Sequence, residues 1–221
     1  MTILGLAAYL LSIVAVSLFA WRGIELYERI SRGQSDPVRF SNKKARAKWM
    51  AKEILTHSRM LKFTGSGIAH WFVMIGFVSL LGTLITAYYQ VVDPSFTLPL
   101  IGNWVVYRYF VLFIAWTTGI GIVTLIGVRQ ITRFVHKGRT SRFLGSGSVK
   151  AYYVEATILA VVFCVILLDR EEHKQYINTQ NIQLIAAIKI LVSMLWFIII
   201  AINLNMGVAW HRFLAPFNIF F

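Results

Sequence analysis

Apolar residues run along this chain in five long blocks, roughly Thr2 to Trp21, Ile68 to Gln90, Trp104 to Val128, Ala151 to Leu168 and Ile182 to Val208. Since about 20 consecutive apolar residues cross the hydrocarbon core of a bilayer as a helix, each block predicts one transmembrane helix. Between the first two the pattern changes. From Asn42 to Phe63, Met50, Ile54, His57 and Leu61 recur at three- and four-residue spacing, while Lys43, Lys44, Arg46, Lys48, Lys52, Arg59 and Lys62 fill the other faces. That spacing predicts an amphipathic helix lying on anionic lipid. The expected fold is all-α: one polytopic membrane domain over residues 1–221, a five-helix bundle with nothing left for a separate soluble domain. The first block has no basic residues before it and runs into Arg22, so it reads as a retained membrane helix rather than a cleaved signal peptide.

Composition agrees with that pattern. Hydrophobic residues make up 57% of the 221 and charged residues only 14%, and the mean hydropathy of +0.66 is too apolar for an ordinary soluble domain.

Charge adds an orientation. The segment from Arg22 to Lys62 holds eleven Lys and Arg against four acids, Glu25, Glu28, Asp36 and Glu53, and Arg129 to Lys150 holds six against none. The other two connections are poor in basic residues: Gln90 to Asn103 has only Asp93, and Asp169 to Asn181 sets Arg170 and Lys174 against Asp169, Glu171 and Glu172. The positive-inside rule then places the N-terminus outside and both basic segments, with the C-terminus, in the cytoplasm. The net charge of +13 is a topology and anionic-lipid signal, and no nucleic acid is needed to explain it.

On that topology two histidines share one level. His70 lies in the first turn of the second predicted helix and His211 about a turn past the fifth, both at the cytoplasmic interface. An ionisable side chain near lipid is costly enough to suggest function, and two at one depth are suited to ligate the two faces of a haem iron. Gly67 and Gly207 precede them by three and four residues, leaving bare patches where a flat macrocycle can approach; Trp71 and Trp210 flank the pair. Glycines that permit close helix contact and interfacial tryptophans explain the same residues without a cofactor. His57 is an alternative ligand, whereas His136 and His173 read as solvated. No second His pair lies deeper in either helix, so a single b-type haem is expected. Met206 is a conceivable ligand, more simply a packing residue.

Three further ionisable residues fall inside the blocks. Arg108 and Glu155 are candidates for holding a quinone headgroup, which needs a hydrogen-bond donor and a proton path. Lys189 is expected to snorkel to the outer interface, and Arg108 has the same alternative, meeting Asp93, Asp169 or Glu172. Cys164 is the sole cysteine, so the chain is expected to hold no iron–sulfur cluster and no internal disulfide. Gly145-Ser146-Gly147-Ser148 lacks the Lys-Ser or Lys-Thr helix start of a phosphate-binding loop and reads as a flexible connection. Gly119, Gly121 and Thr124 read as close helix packing.

The Gly67-Ile68-Ala69-His70-Trp71-Phe72 opening followed by Gly76-Phe77, the Ser141-Arg142-Phe143-Leu144-Gly145-Ser146 loop and the closing His211-Arg212-Phe213-Leu214-Ala215-Pro216-Phe217-Asn218 carry a resemblance across the whole chain. It resembles the N-terminal cytochrome b membrane domain of iron–sulfur oxidoreductases related to heterodisulfide reductase, among them the electron-transfer-flavoprotein:menaquinone oxidoreductases of actinobacteria. More distantly it is similar to the gamma subunit of respiratory nitrate reductase, but without that protein's deeper His pair. The resemblance implies one haem b held by His70 and His211, electron transfer between a cytoplasmic iron–sulfur partner and menaquinone, a possible link to electron-transfer flavoprotein, and a bacterial inner membrane. It also implies iron–sulfur segments beyond Phe221, or a separate subunit that carries them.

The partner is expected to dock on the basic surface of Arg129, Arg133, Lys137, Arg139 and Arg142. Two other classes compete: a membrane anchor without redox chemistry, and a small transporter lined by Arg108, Glu155 and Lys189. Against the transporter, the sequence shows no broken helix pair and no internal symmetry.

Overall fold

The computed structural model of the protein describes residues 2–34, 38, 41–135 and 148–221, and its regular structure there is entirely helical. In chain order the helices are α1 (Ile3–Ser31), α2 (Lys43–Thr56), α3 (Ser58–Leu61), α4 (Thr64–Ser79), α5 (Leu81–Gln90), α6 (Val105–Val135), α7 (Ser148–Glu172), α8 (Thr179–Ile202) and α9 (Gly207–Phe220). Five stretches, Ile3–Ser31, Gly65–Gln90, Val105–Thr132, Val149–Glu172 and Thr179–Ile202, are long and apolar enough to cross a membrane. The fold is therefore the expected all-α bundle. Exposed Leu10, Ile13, Phe113, Ile120, Val123 and Phe163 cover its outside, as a surface solvated by lipid chains requires.

Successive spans alternate in direction. Small residues let them approach, which matters where no hydrophobic effect drives helices together. Ala8, Ser12 and Ala15 of α1 are buried, and the two alanines share a core with Ala186, Ala187 and Ile190 of the parallel α8. Gly121 of α6 faces Ala69 of α4, where a Cβ would lie 2.8 Å from the Ala69 carbonyl oxygen. Two side-chain caps begin helices: Thr2 Oγ1 accepts from Gly5 N at 3.1 Å, and Asn178 Oδ1 from Gln180 N at 3.1 Å. Each supplies a partner for a backbone N–H that the first helical turn leaves unpaired.

Three predicted elements are interrupted. The second span breaks at Leu80 between α4 and α5, where Thr83 N bonds the Leu80 carbonyl at 3.1 Å and the Thr83 hydroxyl donates to the same oxygen at 2.6 Å. These three-residue bonds tighten the ladder locally and mark the break. The fifth span ends at Ile202 rather than Val208. Asn203 leaves helical geometry with ψ 72° while its amide donates back to the Ile199 carbonyl at 2.8 Å, the local competition that makes Asn a poor helix interior residue. His211 thus belongs to a separate helix, α9. The amphipathic segment splits into α2 and α3 at His57, whose φ of 48° is left-handed.

Candidate functional site: a histidine cluster at one end of the bundle

The alternation of helices brings the end of α1, the start of α4, the end of α6, the start of α7 and the end of α8 to one end of the bundle. There α2 packs on α9 and α3 on α4. Two tryptophans next to the candidate ligands fasten this assembly: Trp71 Nε1 donates to the Leu55 carbonyl of α2 at 3.0 Å, and Trp210 Nε1 to the Ile200 carbonyl of α8 at 3.0 Å. Arg46 of α2 reaches the Phe220 carbonyl at the end of α9, at 3.2 Å.

Held in this way, three histidine rings lie in contact. His70 and His211 have ring centres 6.0 Å apart with planes at 43°, and His57 lies 5.6 Å from His70 with planes at 29°. A metal–imidazole bond of ~2.0 Å puts the ring centre ~3 Å from the metal, so two imidazoles on opposite sides of one ion have centres ~6 Å apart. The 6.0 Å separation of His70 and His211 has that value. His211 Nδ1 lies 3.3 Å from the Gly207 carbonyl and His57 Nδ1 2.9 Å from the Ile54 carbonyl. A carbonyl only accepts, so Nδ1 carries the proton in each, and Nε2 keeps its lone pair; a metal-bound histidine is commonly oriented by such a bond. His70 Nδ1 is shielded from solvent and has no hydrogen-bond partner. Burial, with the Arg212 guanidinium adding to it, holds the pKa of His211 below the usual imidazole value against the opposing pull of the Gly207 carbonyl, which keeps the ring neutral, as a ligand must be.

Among the described residues no three His, Cys, Asp or Glu side chains are arranged to hold a metal ion. The pair is suited to an ion that brings its remaining ligands with it, as haem iron does. Of the two glycines read as haem-packing positions, Gly207 has nothing within 4 Å of where its Cβ would stand. Gly67 is different: a Cβ there would run into the Met60 carbonyl and lie 3.0 Å from Leu61 Cα. Glycine at this position permits the close approach of α3. Met206 is buried in a core with Val154, Trp196, Ile200 and Trp210, as a packing residue.

The two quinone candidates do not share a site. Arg108 Nε donates to Asp169 Oδ1 at 2.7 Å and its Nη2 to Oδ2 at 3.1 Å. Glu155 Oε1 accepts from Arg129 Nη2 at 2.7 Å. Arg108 and Arg129 are 21 residues apart on α6, which at ~1.5 Å per residue is ~30 Å. Both ion pairs tie α6 to α7, at opposite ends. Arg108 is paired with Asp169 at the end away from the histidines. Glu155 is at their end, and its Oε2 is buried without a partner, as is Arg129 Nε.

Lys189 does not snorkel. It is 1% exposed, and its Nζ donates to Thr83 Oγ1 at 2.7 Å and to the Thr83 carbonyl at 2.8 Å, beside the break at Leu80. Arg212 has a place that its sequence position alone did not reveal. Its guanidinium lies 5.0 Å from the Phe77 ring and 5.4 Å from that of Trp196, with Nη1 buried and unpartnered. Burial pushes its pKa down to about 10. The available signal was a cation directly following His211 in a Trp- and Phe-rich stretch.

His136, Lys137, Arg139, Arg142 and the 141–147 loop lie outside the described residues. No family model, curated protein or solved structure matches the chain. The site's chemistry rests on its own residues.

Proposed function

We propose that this chain is the membrane haem b subunit or domain that passes electrons between a cytoplasmic iron–sulfur, flavoprotein-linked partner and menaquinone. The observation that carries the reading is the pair His70 and His211, 6.0 Å apart, with His70 Nδ1 buried and lacking a partner. When bound, a b-type haem supplies reversible one-electron transfer. His70 and His211 would hold its iron, with His57 the alternative. Trp71 and Trp210 position them by fixing α4 on α2 and α9 on α8, and the Gly207 carbonyl orients His211. Glu155, with Oε2 unengaged, is the better placed of the two quinone candidates to hold a proton at a headgroup oxygen. Arg129 keeps its carboxylate in place. The positive-inside distribution supports a cytoplasmic position for this end, which on this reading faces, from a bacterial inner membrane, a soluble donor whose encounter the basic surface would speed.

The test is a reduced-minus-oxidised spectrum, with haem counted per chain, on purified wild type and on His70→Ala, His211→Ala and His57→Ala. One low-spin b-type haem is expected, lost in the first two variants and kept in the third. A well-folded wild type without haem would overturn the reading.

A second reading draws on Lys189 and Thr83. A buried cation at an interrupted membrane helix is also how transporters build midplane sites. Flux of a small ion or solute into proteoliposomes that disappears in Lys189→Met would support it; haem in the wild type with no such flux would remove it.

A further inference from the structure

At the histidine end of the bundle, but on another part of its surface, α1, α7 and the α8–α9 break enclose a cleft of about 280 Å³ lined by Arg22, Arg29, Lys150, Ile202, Asn203 and Asn205, with Leu204. Glu25 draws the two arginines together. It accepts from Arg22 Nη1 at 2.5 Å and from Arg29 Nη2, so two guanidinium groups are presented side by side. Three cations against one carboxylate leave the cleft with a net charge of +2. Arg22 Nε is buried and has no acceptor, although a guanidinium N–H shielded from water is costly to leave unmatched. Lys150 stands in the first turn of α7, the positive end of that helix's dipole.

Depth decides what the cleft receives. Arg22 ends the apolar run of α1, and Ile202 is the last residue of α8, so the cations sit where hydrocarbon gives way to headgroups. Ile24, Val149 and Ile202 are exposed apolar residues on the same turns, placed to meet acyl chains. An occupant must therefore join an anionic phosphate to hydrocarbon. We infer that this cleft is a binding site for one anionic phospholipid, its phosphate held by Arg22, Arg29 and Lys150 and its chains lying along α1 and α8. The fork of a guanidinium suits phosphate oxygens particularly well.

The experiment is native mass spectrometry of the full chain released from micelles doped with phosphatidylglycerol, with phosphatidylcholine, or with inorganic phosphate alone. One retained phosphatidylglycerol per chain is expected, with little phosphatidylcholine. Retention should fall about fivefold for each cation removed, in Arg22→Gln and in Lys150→Gln. Lys150→Gln leaves the Arg22–Glu25–Arg29 cluster intact, so it keeps the test decisive if Arg22→Gln does not fold. Equal retention of the two lipids, or undiminished phosphatidylglycerol in Lys150→Gln, would overturn the site. Tight binding of inorganic phosphate by itself would overturn the lipid assignment in favour of a free-anion site.

Discussion

Lys189 and Thr83 meet inside the bundle: the Nζ of a side chain 1% exposed donates to both the hydroxyl and the carbonyl of one threonine, at 2.7 and 2.8 Å. The two acceptors are neutral dipoles, which repay less of the cost of a buried ammonium than a carboxylate would. Lys189→Met, which keeps the volume and removes the polar head, is therefore expected to unfold at the same temperature as wild type or higher. Thr83→Val leaves the ammonium and takes one acceptor, and should cost about 1–3 kcal/mol. Thermal unfolding in detergent separates the two; equal destabilisation would mean that Lys189 has a charged partner essential to the fold.

The two ion pairs of the α6–α7 seam are expected to differ in weight. Glu155 is buried beside Arg129, whereas the Arg108 side chain is 34% exposed. Arg129→Ala strands a buried carboxylate and should cost about 3–5 kcal/mol. Arg108→Ala breaks a solvent-screened pair and should stay within ~1 kcal/mol. Denaturant titrations of both variants check this, and a reversed order would show that the Arg108 end, not the histidine end, is the anchored one.

How far the sequence carries depends on what each feature obeys. The five spans were legible because crossing a bilayer imposes a length of apolar chain that few other folds need. The breaks at Leu80 and Asn203 were not, since they turn on single hydroxyl and amide groups bonding back to their own helix. Hydropathy cannot separate a lipid-facing residue from one facing the bundle, and for that reason Lys189 was expected at the interface and lies in the core. Depth alone leaves Arg108 open to a quinone or to Asp93, Asp169 or Glu172; choosing Asp169 needed the antiparallel register of α6 and α7. His70 and His211 were placed at one level by counting residues from charged ends. The contacts of His70 with His211 and with His57 needed the break at Asn203 that sets His211 on a separate helix.

Close packing of α4 on α6 gives a third prediction. A Cβ at Gly121 would lie 2.8 Å from the Ala69 carbonyl oxygen, a backbone atom that cannot rotate away, whereas at Gly119 it would meet Val162 Cγ1 at an ordinary 3.5 Å. Gly121→Ala is expected to force the helices apart at a cost of about 1–3 kcal/mol. Gly119→Ala should be neutral or stabilising, because alanine restricts the unfolded chain more than glycine does. Unfolding free energies for the two variants decide the matter, and a tolerated Gly121→Ala would show that α4 and α6 are not locked at this crossing.

Gly207 offers a test of the cofactor that does not touch either ligand. Nothing stands within 4 Å of a Cβ built there, so the protein alone has no steric reason to reject a methyl group at this first residue of α9, and alanine restricts the unfolded chain more than glycine does. A macrocycle seated between His70 and His211 would occupy the same space. Gly207→Ala should then match or exceed the wild-type melting temperature when both are prepared without haem. Gly207→Leu should fold yet retain less haem per chain and release it faster to an apo-globin acceptor. If Gly207→Leu keeps full haem with an unchanged release rate, the macrocycle does not lie over α9. The His57–His70 pair, at 5.6 Å, would then become the ligand set to examine.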